Sequence, residues 1–196
     1  TFVITIGDLD EFNVGTPTDA NSSTNTVTEN AAAGTTVGVT ASASDADTTN
    51  NTITYALTNS AGGLFQIDAS TGVVSVLGAL NREAVGASTS VTVLATSADG
   101  STASQSFTIA IADADEFDVT TPADTNATAD AVNENASVGT VVGITASASD
   151  ADATTNTISY SLTDNAGGRF QINASTGVVT TLAGTPYCSW ARSKAS

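Results

Sequence analysis

Apolar and polar positions alternate along this chain with a period of two. Phe107, Ile109 and Ile111 alternate with Thr108 and Ala110; Ile53, Tyr55 and Leu57 with Thr54 and Ala56; Val37, Val39, Ala41 and Ala43 with Gly38, Thr40 and Ser42. Successive side chains of an extended chain point to opposite faces, so this pattern predicts antiparallel strands buried on one face only. Within residues 12–116 it predicts strands near 26–28, 35–43, 52–58, 64–67, 72–80, 89–96 and 104–111. Turn clusters such as Asn59-Ser60-Ala61-Gly62-Gly63 and Ser97-Ala98-Asp99-Gly100 separate them. Seven short strands in about a hundred residues is the count of an immunoglobulin-like sandwich. The expected fold is therefore all-β, with the topology left open by the pattern alone.

The pattern recurs at an offset of 105 residues. Glu29-Asn30 returns as Glu134-Asn135, Asp45-Ala46-Asp47 as Asp150-Ala151-Asp152, Phe65-Gln66-Ile67 as Phe170-Gln171-Ile172, and Thr71-Gly72-Val73-Val74 as Thr176-Gly177-Val178-Val179. The same shift carries Phe2-Val3-Ile4-Thr5-Ile6 onto Phe107-Thr108-Ile109-Ala110-Ile111. A period this long suits tandem domains, each with its own core, rather than a solenoid. The expected division is 1–11, the last strand and linker of a preceding repeat; 12–116, a complete repeat; 117–184, a partial repeat; and 185–196, an atypical tail holding Cys188 and Trp190.

Composition narrows the function classes. Four basic against twenty acidic residues give a net charge of -16, which repels nucleic acid and anionic lipid and leaves cations as natural partners. The absence of histidine removes the commonest general base and the usual zinc ligand. A single cysteine allows no intrachain disulfide, so the modules depend on their cores and on metal. The acids gather with one another rather than flanking an aromatic-walled cleft, so the chain is not expected to be an enzyme. A solvated acidic surface is the alternative reading of these acids, and their recurrence at repeat boundaries speaks against it.

Six motifs in order resemble the cadherin repeat. They are Glu29-Asn30 before Gly34-Thr35-x-Val37; Asp45-Ala46-Asp47; Tyr55-x-Leu57; Phe65-x-Ile67-Asp68 with Thr71-Gly72; Leu80-Asn81-Arg82-Glu83; and Asp113-Ala114-Asp115-Glu116-Phe117 at the boundary. The resemblance covers 12–116 fully and 117–184 in part. It implies an immunoglobulin-like Greek-key β-sandwich in tandem, with the second repeat truncated, and calcium as cofactor. The Ala/Ser/Thr-rich composition is similar to the cadherin-like repeats of large bacterial surface proteins.

Calcium takes six to eight oxygens from several loops, so ligands are expected at strand ends. The resemblance carries Glu29, Glu83, Asp113, Glu116, Asp150 and Asp152 onto calcium-ligand positions, with Asp115 standing where the family has Asn. All of these are expected at one joint, and Asp8, Asp10, Glu11, Asp45 and Asp47 at an earlier, partial one. Two departures stand out. Phe117 replaces an oxygen-bearing Asn, and Ser97 stands where the family usually has a calcium-binding Asp. Asp19-Ala20-Asn21 and Asp124-Thr125-Asn126 either add oxygens or form Asx-turns, and Asp68 is expected to form a turn.

The expected function is a calcium-stiffened spacer or adhesion module of an extracellular, cell-surface or secreted protein, membrane-associated through its parent chain. Its partners would be calcium ions, neighbouring repeats, and other cell-surface proteins or glycans. The alternative is a calcium-assisted carbohydrate-binding module, disfavoured because few aromatics are available to stack on sugars. The spare strand at residues 1–6 further predicts strand-exchange self-association through the truncated repeat.

Overall fold

The computed structural model describes residues 2–7, 9 and 11–182. Asp8, Asp10 and the tail at 185–196 lie outside the described residues. The chain divides into two compact units, Thr1–Ala114 and Asp115–Ser196.

The first unit is built of two four-stranded sheets. Strands β1 (Thr18–Asp19), β3 (Thr36–Ser42), β6 (Val73–Val76) and β5 (Phe65–Ile67) form one, in the order β1-β3-β6-β5. Strands β2 (Thr26–Thr28), β8 (Thr102–Ala112), β7 (Ser88–Ser97) and β4 (Ile53–Asn59) form the other, in the order β2-β8-β7-β4. Consecutive strands β2 and β3 lie in different sheets, so the chain crosses the sandwich between them. The β2–β8 pairing is parallel and every other pairing in this unit is antiparallel.

Period-two alternation sets the core. Val37 and Val39 of β3, Val74 and Val76 of β6 and Phe65 of β5 pack in one buried cluster with Val27 of β2, Val91 of β7, Ile109 and Ile111 of β8, and Leu80. Each such side chain contributes about 1.5–3 kcal/mol on leaving water. The β5–β6 turn depends on Gly72, whose φ is +70° and whose added Cβ would lie 2.1 Å from the Ala41 carbonyl oxygen. Ala41 N donates to Gly72 O at 2.9 Å, so the turn is stitched directly to β3.

Asp68 is a turn former, as its place before Thr71-Gly72 suggests. Its Oδ1 accepts from the Ser70 amide (3.0 Å), the Thr71 amide (2.8 Å) and the Thr71 hydroxyl (3.0 Å). Asn173 accepts in the same way from Ser175 and Thr176, so the position needs an acceptor and not a charge. Asp19 and Asp124 are also Asx-turns. Asp19 Oδ1 accepts from Asn21 N and Thr40 N, and Asp124 Oδ1 from Asn126 N and Thr145 N.

The second unit repeats the first of these sheets at the same offset, with β9 (Ala123–Asp124), β10 (Val141–Ser147), β11 (Phe170–Ile172) and β12 (Val178–Thr181) in the order β11-β12-β10-β9. Among the described residues it has no counterpart of the second sheet. Ile158, Tyr160 and Leu162 alternate as Ile53, Tyr55 and Leu57 do, yet 157–162 is not a strand. The reason is pairing: in the first unit β4 takes its ladder bonds from β7, and β2 from β8. Without those neighbours, Val132, Leu162 and Phe170 line a cavity of about 270 Å³ together with Val142, Ile144 and Val179.

Candidate functional site

Strand direction sorts the acids of the first unit. Glu29 precedes β3, Glu83 precedes β7 and Asp113 follows β8, whereas Asp45 and Asp47 follow β3 and Asp99 lies between β7 and β8. The two sets therefore occupy opposite ends of the strands.

At one end, carboxylate oxygens of Glu29, Glu83 and Asp113 lie within 4.8 Å of one another. Glu29 is only 2% exposed. Its Oε2 accepts from the Arg82 amide at 2.6 Å and its Oε1 from the Ala114 amide at 3.0 Å. The Arg82 amide does most to hold the Glu29 carboxyl below the usual glutamate range, against the opposing effect of burial. Arg82 Nε lies 3.5 Å from Asp113 Oδ1, and its Nη1 donates to the Ile111 carbonyl. A short helix, α1 (Arg82–Val85), presents Glu83 in its first turn and is capped by Asn81 Oδ1 accepting from Ala84 N at 2.6 Å.

The opposite end gathers Asp45, Asp47 and Asp99, again within 4.8 Å. Asp47, 5% exposed, accepts from the Glu11 amide at 3.2 Å and the Phe12 amide at 3.3 Å. Asp45 Oδ1 accepts from Asp47 N at 3.1 Å, and Asp99 Oδ1 from Ser101 N at 2.6 Å. The other oxygens, Asp45 Oδ2 and Asp99 Oδ2, are buried. The Ser97 hydroxyl and then the Asp47 amide hold the Asp45 carboxyl below its ordinary range. That hydroxyl donates to Asn50 O at 3.0 Å. Sequence reasoning missed Asp99 because Asp99-Gly100 reads as a turn; its place past the end of an apolar strand, as Asp45 is past another, was the available signal.

In the second unit Asp152, 2% exposed, accepts from the Glu116 amide at 3.1 Å and the Phe117 amide at 3.3 Å, repeating the Asp47 arrangement. Asp150 Oδ1 accepts from Asp152 N at 3.2 Å. Burial works against the Asp152 carboxylate, but the Glu116 and Phe117 amides outweigh it and leave its pKa lowered. Asp115 is pushed up, first by its hydrogen bond with Asp152 and by that residue's charge, then by burial and by Asp150 and Asp118. Two carboxyls this close share a proton or a cation.

The predicted ligands thus fall into three groups: Glu29 with Glu83 and Asp113, Asp45 with Asp47, and Asp115 with Asp150 and Asp152. Glu11 and Glu116 contribute backbone amides to Asp47 and Asp152, and the Glu11 carboxylate stands outside the Asp45–Asp47–Asp99 group. Phe117 does likewise through its amide, so the lost side-chain oxygen leaves the backbone role intact. The donor sets are all oxygen and anionic, which suits a hard divalent cation.

Among the described residues, no helix is long and apolar enough to cross a membrane. A comparison with curated proteins gives no match. Solved cadherin structures do match. Mouse cadherin-23 EC22-24 is 27% identical, with a TM-score of 0.66 over 91% of this chain and 56% of that one. Human CDH23 EC21-23 is 25% identical, with a TM-score of 0.69 over 92% and 57%. Protocadherin gammaB7 EC3-6, solved as a cis-dimer, is 20% identical with a TM-score of 0.75 over 93% and 45%, and shows the fold alone. The chain spans about half the length of the solved chains it matches. The family model for the cadherin domain covers residues 23–112. Cadherin domains are extracellular adhesion-type modules that bind calcium in general, and the family is not one of enzymes. With both sheets of the sandwich and the acids at its two ends in place, residues 23–112 of this chain are a cadherin domain.

Proposed function

We propose that this chain is a calcium-binding run of cadherin-like repeats, serving a cell-surface or secreted protein as a stiffened spacer and adhesion module. The observation that carries the reading is the pair of three-carboxylate clusters at opposite ends of the first unit. Bound there, calcium would supply positive charge and accept six to eight oxygens at about 2.3–2.6 Å. Glu29, Glu83 and Asp113 would hold it at one end, and Asp45 and Asp47 at the other; Asp115, Asp150 and Asp152 would do so in the second unit. The backbone amides of Arg82, Ala114, Glu11 and Phe12 orient these carboxylates in advance. Asp113 and Asp115 are two residues apart in the chain and belong to different units, so fixing both removes freedom from the short segment that joins them.

The Ala/Ser/Thr-rich composition supports a bacterial surface protein as the parent. Small-angle scattering with calcium and with chelator tests the reading: calcium narrows the distribution of end-to-end distances, and identical profiles would remove stiffening from the account.

A second reading, calcium-assisted glycan binding, has one supporting feature. A cavity of about 340 Å³ in the second unit is lined by Asp115, Asp150, Thr157 and Phe117, whose residue is 43% exposed. Against it, Tyr55 and Tyr160 are half-buried and their hydroxyls accept from the Ala43 and Ala148 amides. A glycan array probed with and without calcium separates the two readings.

A further inference from the structure

We infer that residues 2–6 of one copy of this chain dock on the second unit of another copy, as a strand laid into its open apolar groove in a single register. This interface needs neither calcium nor the acids at the strand ends.

Val132, Val142, Ile144, Leu162, Phe170 and Val179 line the cavity of about 270 Å³ in the second unit. The residues 105 positions earlier all belong to the buried cluster of the first unit or pack against it. Yet Val27, Val39 and Phe65 are buried, whereas their counterparts Val132, Ile144 and Phe170 are only half-buried. In the first unit Ile109 and Ile111 of β8 complete the cluster, with Phe107 packed beside them. Among the described residues the second unit has no counterpart of β8.

The chain carries a second copy of that strand. Phe2, Ile4 and Ile6 stand 105 positions before Phe107, Ile109 and Ile111, and each is at least 86% exposed. Residues 2–7 hold no charged side chain in a protein of net charge -16, so Asp130 and Asp164 at the groove do not repel them. The register follows from the first unit. There β8 runs parallel to β2, with Thr26 opposite Ala110 and Val27 opposite Ile111, and Ala110 N donates to Asn25 O at 2.9 Å. Shifted by the repeat, Thr5 falls opposite Ala131 and Ile6 opposite Val132, with Thr5 N directed at Asp130 O. A slip of one residue would turn Val3 and Thr5 inward and expose all three large side chains, so the groove selects this register. Residues 131–133 form no strand in a single copy although β2 does, and the docked segment supplies the ladder partner they lack.

The experiment links cysteines between copies of the 196-residue chain in chelator, with Cys188→Ser as background. Thr5→Cys chains mixed with Ala131→Cys chains should form a disulfide-linked pair under mild oxidation, because neighbouring strands lie about 4.8 Å apart, within the Cα reach of a disulfide. Val3→Cys lies on the same face but two residues along, roughly 8 Å from position 131, and should link to Ala131→Cys at least about tenfold more slowly. Adding Ile4→Asp to the Thr5→Cys chain should cut the linked fraction at least about tenfold, the scale of losing one buried isoleucine side chain. Ile4 is exposed in a single copy, so this change leaves the fold of either unit alone. Linking as fast at Val3 as at Thr5, or linking that Ile4→Asp leaves intact, overturns the docked strand. Absence of the mixed product, including the case in which a chain bearing both cysteines closes on itself, overturns the second copy as occupant.

Discussion

Calcium should raise the melting temperature of the first unit by an amount that its two clusters fix in advance. A ligand that binds only the folded form stabilises it by RT ln(1 + [L]/Kd). Extracellular calcium modules have Kd values of about 10⁻⁴ to 10⁻³ M, so 10 mM calcium gives roughly 1.4–2.7 kcal/mol per site. With one ion at each of the two clusters the total is roughly 3–5 kcal/mol. A domain of this size shifts by about 4 °C per kcal/mol, which predicts a rise of roughly 12–20 °C over the melt in chelator. Glu83→Ala is the matching perturbation. It sits in the first turn of α1, is exposed and supports no core contact, so its loss should leave the chelated melt nearly unchanged and remove about half of the calcium-dependent rise. Scanning calorimetry at fixed protein concentration reads both numbers. A rise below about 3 °C, or one that Glu83→Ala leaves intact, would refute the argument that these clusters are the calcium sites.

Acid should act with opposite sign on individual carboxyls in chelator. Glu29 and Asp45 are lowered by their hydrogen bonds, so the stability they give the first unit is present above their ordinary values of 4.5 and 3.8 and is lost as pH falls through the lowered folded-state values. Asp115 is raised by Asp152, so its contribution to the second unit is full below 3.8 and is lost as pH rises through the folded-state value; calcium should abolish that loss, and circular dichroism melts across pH 3–7 follow both. Gly72→Ala should destabilise the first unit by more than the roughly 1–3 kcal/mol of a non-glycine residue at positive φ, because the new Cβ also meets the Ala41 carbonyl, and urea titration measures it. Finally, the 196-residue chain should associate as concentration rises, a second copy's Phe2–Ile6 covering the open apolar cavity of the second unit as Phe107–Ile111 covers the equivalent residues of the first. Ile4→Asp should abolish the association in sedimentation velocity, and a chain monomeric at every concentration would exclude it.

How far the sequence carried depended on how local each feature is. Alternation located six of the eight strands of the first unit to within a residue or two, since Val37-x-Val39 or Phe107-x-Ile109-x-Ile111 fixes face and extent together, and gave no sign of the two-residue β1. It overran at 72–80: β6 stops at Val76, Leu77 is half-exposed, and Leu80 returns to the core only to start the turn into α1. Four residues are too few for a helical period to register, so α1 was legible only through its Asn81 cap. In the second unit the same alternation at Ile158, Tyr160 and Leu162 yields no strand, because a ladder needs a neighbour that the alternating residues do not themselves encode.

The site divides along the same line. Acids adjoining strand ends, such as Glu29, Asp45, Asp47 and Asp113, could be read from spacing and repetition. Asp99 could not, because whether an Asp-Gly turn faces solvent or other carboxylates depends on the hairpin pairing of Ser97 with Ser101. Its buried oxygen, and that of Asp45, then say something the acidic composition did not. A surface charged merely for solubility keeps its carboxylates in water, where they need no partner. Here backbone amides hold Oδ1 of Asp45 and of Asp99 while Oδ2 of each is buried, an arrangement that a bound cation would stabilise further.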